Sequence, residues 1–147
     1  MNKNITDFIS QYEREQFATT TGRIMHKKLQ NMSLSPVQIG DVDLIEKIKN
    51  GGELLQSFFM ENSMPEVPIA GYINGVFMSR RIDRLVIDNA TKNVRVLDYK
   101  TDTDTEKFRA KYIAQLHEYM NLIGQIYPDY KISGYILWLH DWRLEKI

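Results

Sequence analysis

The sequence predicts an α/β fold in which a mixed sheet, an antiparallel meander followed by a crossover strand, is flanked by helices. Three observations carry that expectation. The first third of the chain repeats apolar residues at helical spacing. From Val67 to Lys100 the sequence turns to Val, Ile, Tyr and Phe, punctuated by Gly71, Asn74-Gly75 and the run Asp88 to Asn93. A long amphipathic stretch then separates this block from a last apolar run, the order that a strand–helix–strand crossover requires.

Thr6 caps a predicted helix through Phe8, Ile9, Tyr12 and Phe17. A second helix starts near Gly22 and sets Met25, Leu29 and Met32 on one stripe, until Ser33-Leu34-Ser35-Pro36 breaks it. Asp41 is the expected N-cap for Leu44, Ile45 and Ile48, with Gly51-Gly52 as the stop. Leu54, Leu55, Phe58 and Phe59 define a further helix that ends before Pro65, so residues 1–62 read as a helical N-terminal part. Residues 66–100 are expected to form three strands, with a hairpin across Asn74-Gly75 and a turn centred near Ala90 to Lys92. Residues 104–127 form one long helix with Tyr112, Leu116, Tyr119 and Ile123 on one stripe. The region 131–147 holds a final buried strand, Tyr135 to Leu139. No repeat, low-complexity tract or linker divides the 147 residues, so a single domain is expected.

Composition narrows the function. A hydrophobic content of 43%, with two Trp, eight Tyr and six Phe, suffices for a packed core and argues against a disordered tail. The formal net charge is zero, so any surface for phosphate must be local. The chain has no cysteine, which removes disulfides, thiol catalysis, Cys-ligated zinc and Cys-ligated iron–sulfur clusters. No apolar run approaches the ~20 residues of a membrane span, and Met1 to Ile5 lacks a signal-peptide layout, so an intracellular, cytoplasmic protein without a membrane partner is expected. There is no G-x-x-x-x-G-K-[ST] loop, so the chain is not itself an ATP-driven motor.

Two segments carry chemistry: Arg81-Ile82-Asp83-Arg84-Leu85 and Val94-Arg95-Val96-Leu97-Asp98-Tyr99-Lys100-Thr101-Asp102. Each sets a carboxylate in an apolar strand, where an unpaired charge is costly to bury. Val94, Val96, Asp98 and Lys100 share one strand face by the period of two. Asp83 joins that face if it pairs opposite Asp98, which needs an even-numbered loop or a bulge. Two carboxylates then converge with a lysine. Paired carboxylates hold a hard divalent cation, and the ammonium offers positive charge to a phosphate or an attacking water.

Ile82-Asp83-Arg84 followed by Leu97-Asp98-Tyr99-Lys100-Thr101 resembles the PD-(D/E)XK nuclease superfamily, and within it the RecB-like and AddA-like nuclease domains of helicase–nucleases. Gly22-Arg23-Ile24-Met25-His26 is similar to the upstream G-x-x-x-H helix of that branch. Glu66-Val67-Pro68-Ile69 is similar to its segment before the sheet, and Tyr112 to Tyr119 to its Y-x-x-Q-L-x-x-Y helix. The likeness covers roughly residues 18–140 and departs at Arg81, where that branch carries Gly.

The resemblance implies a restriction-endonuclease-like fold and a Mg²⁺- or Mn²⁺-dependent exonuclease acting on DNA. It implies a helicase motor, in the same chain or a partner chain, and a DNA-associated location. His26, Asp83 and Asp98 would ligate the metal with the Tyr99 carbonyl. Lys100 would act beside Asp83 and Asp98 in catalysis. Tyr112, Gln115 and Tyr119 would contact the DNA backbone. The alternative is a catalytically inactive nuclease-fold scaffold that binds DNA or a partner. Plainer roles stand beside these: Tyr119 lies on the apolar stripe and fits a core position, and Glu66 fits a structural place near the sheet better than an extra site carboxylate. Asp83 with Arg84, and Asp98 with Lys100, can be read as structural or surface ion pairs. Asp102 is a candidate cap of the long helix. Arg80, Arg81, Arg84, Lys107, Arg109 and Lys111 fit either a phosphate track or solvated faces.

Overall fold

The computed structural model describes residues 20–34 and 41–147. The helix expected from Thr6 to Phe17 and the Ser35-Pro36 break lie outside them. Residues 20–30 are helical (α1) and turn Leu29 inward, with Met25 partly buried beside it; Met32, just beyond the helix, is buried too. Helix α2, Val42–Asn50, starts at the expected cap, where the Asp41 carboxylate accepts from the Asp43 and Leu44 N–H groups. Gly51 ends it. The next helix, α3, is short, Glu53–Ser57. Phe58 and Phe59 follow it in a turn and are fully buried, so the apolar spacing was right and the helix length was not.

Five strands form one open mixed sheet in the order β1-β2-β3-β4-β5. Strand β1, Ser63–Ile73, begins earlier than expected and takes in Pro65, which an edge strand tolerates because one side of its backbone has no ladder to feed. It pairs antiparallel with β2, Val76–Asp88, through a two-residue turn in which Asn74 and Gly75 both have positive φ (50° and 78°). Strand β3, Asn93–Lys100, returns antiparallel after the four-residue loop between the Asp88↔Asn93 pair. Helix α4, Thr105–Ile126, crosses over to β4, Lys131–Trp138, which runs parallel to β3. Asp104 caps α4 by accepting from the Lys107 N–H. Asp102, the expected cap, instead accepts the Tyr112 hydroxyl.

A last strand, β5 (Arg143–Lys146), pairs antiparallel with β4. Its polar sequence hid it: Arg143, Glu145 and Lys146 show no run of strand-forming residues. Helices α1, α2 and α3 cover one face of the sheet, against Val86, Leu97, Tyr99 and Leu137. Helix α4 covers the other, against Ile69, Ile82, Val96 and Trp138. The close approach of α4 depends on Gly134, where a Cβ would lie 3.0 Å from Leu116 Cγ and 2.6 Å from Met120 Sδ. No helix among the described residues is long and apolar enough to cross a membrane.

Candidate active site

The four-residue β2–β3 loop is even, and this sets the parity of the site. Arg84↔Leu97 is the last paired position, so the next step brings Asp83 level with Asp98. The ladder stops there because the Asp83 carboxylate takes a backbone's place: Oδ2 accepts the Tyr99 N–H at 2.7 Å. Asp83 and Asp98 are both buried, at 7% and 4% exposure, and lie near enough for the charge of Asp83 to raise Asp98. The two carboxylates therefore form one site within the sheet.

Lys100 projects on the same side as Asp98, and its Nζ lies 2.8 Å from Asp98 Oδ2. The ion pair is nearly buried rather than a surface pair, with side chains 14% and 5% exposed. Close as they are, the geometry is off-axis, and Oδ2 has no directed hydrogen bond. Helix α4 holds the ammonium from the far side. Gln115 Oε1 accepts from Nζ at 3.0 Å, and the Tyr112 ring centroid lies 4.3 Å away. Of the residues expected to touch DNA, Gln115 and Tyr112 thus grip Lys100. Tyr119 is 4% exposed and packs in the core with Ile82 and Trp138, the plainer of the two positions expected for it.

Helix α1 brings in His26. Its Nδ1 sits 3.4 Å from Asp83 Oδ1, and its ring meets Tyr99 edge-on at 5.4 Å between centroids. Gly22, one turn earlier, lets the helix close on the end of β3: a Cβ there would lie 3.3 Å from Thr101 Oγ1. Glu66 arrives from β1 as the residue the sequence favoured for a structural place. It interrupts the ladder between Pro65↔Arg84 and Val67↔Ile82 with φ at 52°, a left-handed conformation uncommon outside glycine. Ligand atoms of His26, Glu66 and Asp83 fall within 4.8 Å of one another. The position of Glu66 in the segment before the sheet was the available signal; its backbone conformation was not legible. Gly22, Arg23, His26 and Lys27 of α1, with Glu66 and Asp83, line an open cleft of about 460 Å³.

The charges respond to this crowding. Burial pushes the Asp98 carboxyl up to about 7, with the neighbouring Asp83 charge adding to it and Lys100 opposing it. Burial would raise Asp83 as well, but the His26 hydrogen bond and charge, with the Tyr99 N–H, hold it below the usual carboxylate range. The Asp83 hydrogen bond raises His26 above its ordinary value despite burial.

This donor set suits a hard divalent cation. His26, Glu66 and Asp83 offer one imidazole nitrogen and two carboxylates within reach of one another; Asp98, next to Asp83 but outside that group, has an oxygen without a directed hydrogen bond. The Tyr99 carbonyl faces the same way. Within an extended strand a residue's N–H and C=O point to one side; the Tyr99 N–H meets Asp83, whereas the next carbonyl, Lys100 O, turns away to Leu139 N just beyond β4.

The basic residues divide differently from a continuous phosphate track. Arg80 pairs with Glu118, Arg81 with Glu66 and Arg109 with Glu145. Arg84 is buried at 3% and bonds away from Asp83, so it belongs neither to a track nor to an ion pair with that carboxylate. No protein-family model matches the chain, and no curated protein matches it in sequence.

Proposed function

We propose that the chain is a Mg²⁺- or Mn²⁺-dependent deoxyribonuclease of the PD-(D/E)XK type, built on a restriction-endonuclease-like sheet and acting as an exonuclease. The observation that carries this reading is the cluster of His26, Glu66 and Asp83, with the buried Asp98–Lys100 pair of the next strand beside Asp83. His26, Asp83 and Asp98 would hold the cation, with Glu66 and the Tyr99 carbonyl as further ligands. A bound divalent cation supplies Lewis acidity toward a phosphodiester.

The remaining work falls to the chain's own groups. Lys100 keeps a positive charge at the site's edge, where its ammonium can orient a water or meet phosphate charge as it develops. Gln115 and Tyr112 hold that ammonium in one place, so it need not reorganise during reaction. DNA is the proposed partner, delivered by a helicase motor in the same chain or another, in the cytoplasm.

The test is digestion of end-labelled single- and double-stranded DNA with Mn²⁺, Mg²⁺ or EDTA. We expect cleavage that needs the metal and releases short products progressively from an end. No cleavage of any substrate with any metal would overturn the reading in favour of a non-catalytic scaffold.

A further inference from the structure

We propose that Arg84 is a positioning residue that clamps the end of α1 to the sheet and thereby holds His26 at the carboxylates. The consequence for metal rests on the reading of His26, Asp83 and Asp98 as one metal site. The clamp itself stands on hydrogen bonds. Arg84 is 3% exposed, and among the described residues no carboxylate forms an ion pair with it. A buried cation without an acidic partner is costly unless every donor is used. Here Nη2 donates to the carbonyls of Leu29, Gln30 and Met32 at 2.6, 3.2 and 2.6 Å. These lie at and just beyond the end of α1, where helix carbonyls lack intrahelical partners and carry the negative end of the helix dipole. Nη1 reaches Ser63 Oγ at 3.4 Å, Nε reaches the Tyr99 hydroxyl at 3.2 Å, and the guanidinium lies 4.7 Å from the Phe59 ring centroid.

The connection to the site is covalent and short. Arg84 follows Asp83, and Tyr99 follows Asp98. The two side chains meet on the α1 side of the sheet while Asp98 and Lys100 face α4. The residue after each carboxylate thus helps hold the helix that supplies the imidazole. Leu29, whose carbonyl is clamped, lies three residues beyond His26, on the same helical face. At 3.4 Å, His26 is at the limit of hydrogen-bonding reach to Asp83, so a small slide or rotation of α1 decides whether it joins the site.

The experiment measures Mn²⁺ affinity by calorimetry, below each protein's melting temperature, for the native chain, Arg84→Gln, Arg84→Lys, His26→Ala and the His26→Ala/Arg84→Gln double variant. Loss of a residue that orients a ligand typically weakens metal binding about 10- to 100-fold, which is the loss expected for Arg84→Gln. Arg84→Lys should recover part of it. In the His26→Ala background Arg84→Gln should change nothing further, because the helix then has no ligand to place. Unchanged affinity in folded Arg84→Gln, or losses that simply add in the double variant, would overturn the proposal.

Should Arg84→Gln not fold, Tyr99→Phe removes one acceptor and should lower affinity by about threefold, again only when His26 is present. If the native chain binds no Mn²⁺, the metal reading fails and the clamp is judged by NMR. The ring-to-ring NOE between His26 and Tyr99 should be present in the native chain and lost in Arg84→Gln; a retained NOE overturns the clamp.

Discussion

The Asp98–Lys100 pair shows how one side chain can be placed by several weak contacts. Lys100 is held by a carboxylate, an amide oxygen and an aromatic ring, from both β3 and α4. Lys100→Ala should therefore remove most cleavage while leaving fold and metal binding nearly intact, since loss of a preorganised charge typically costs about 10²–10³ in rate. Single-turnover cleavage at saturating Mn²⁺, with circular dichroism as the folding control, checks this; a near-native rate would exclude the mechanism. Gln115→Ala should slow the same step by roughly 10-fold, the worth of one hydrogen bond to a charged group, with little change in DNA affinity. A fall in DNA affinity alone would instead place Gln115 against the DNA backbone, its role by resemblance. His26, Asp83, Asp98 and Lys100 were all legible as candidates from spacing or likeness. Glu66 was weighed as an extra site carboxylate but given a structural place, and the inward turn of Arg84 was not foreseen, because neither a left-handed φ nor burial among helix-end carbonyls leaves a local trace in sequence.

Single elements carry the site only where the backbones approach closely. Gly134 lets β4 lie under α4, the helix that holds Lys100 through Gln115. Gly134→Val should destabilise the protein by about 1–3 kcal/mol, because the new side chain meets Leu116 near its branch point and cannot push it aside cheaply. Chemical denaturation measures this, and an unchanged midpoint would show that α4 can shift to make room. Helix α2 followed both its periodicity and its cap, whereas α4 followed its periodicity but is capped by Asp104, and β1 starts ahead of the expected meander. Strand β5 followed no such signal, because its pairing with β4 is chosen by a neighbour rather than by its own composition.

For the molecule as a whole, the buried Asp98 carboxyl costs stability as it ionises. Asp98 has a folded-state pKa above its ordinary value, so its contribution to folding is present below about 4 and is lost as pH rises through about 7. His26 is also raised and is lost in the same direction, above its ordinary 6.5. Asp83, lowered, contributes in the opposite sense, and only in acid below its ordinary 3.8. In EDTA the melting temperature should therefore fall between pH 5 and pH 8. A change on the order of 2 kcal/mol corresponds to roughly 4–8 °C for a chain of this size. Asp98→Asn should flatten that slope and stabilise the metal-free protein at pH 8 while weakening Mn²⁺ binding. Thermal denaturation across this range decides it, and a melting temperature that rises toward pH 8 in EDTA would contradict the assigned charges.

Sequence alone determined most of the sheet and the candidates for its carboxylate pair. Periods of two and of 3.6 residues, with Asn74-Gly75 and the turn after Asp88, set the meander strands and the crossover helix, and left the parity of Asp83 and Asp98 to the length of the loop between their strands. All of that is local, written within a few residues of the place where it acts. Tertiary structure alone decided how α1 meets the sheet, and with it the reach of His26 to Asp83. It also decided the entry of Glu66, the inward turn of Arg84 and the docking of β5. Those contacts join segments as many as 57 residues apart, as with His26 and Asp83. Buried surfaces that must fill space and satisfy every donor choose them, and no periodicity records that choice.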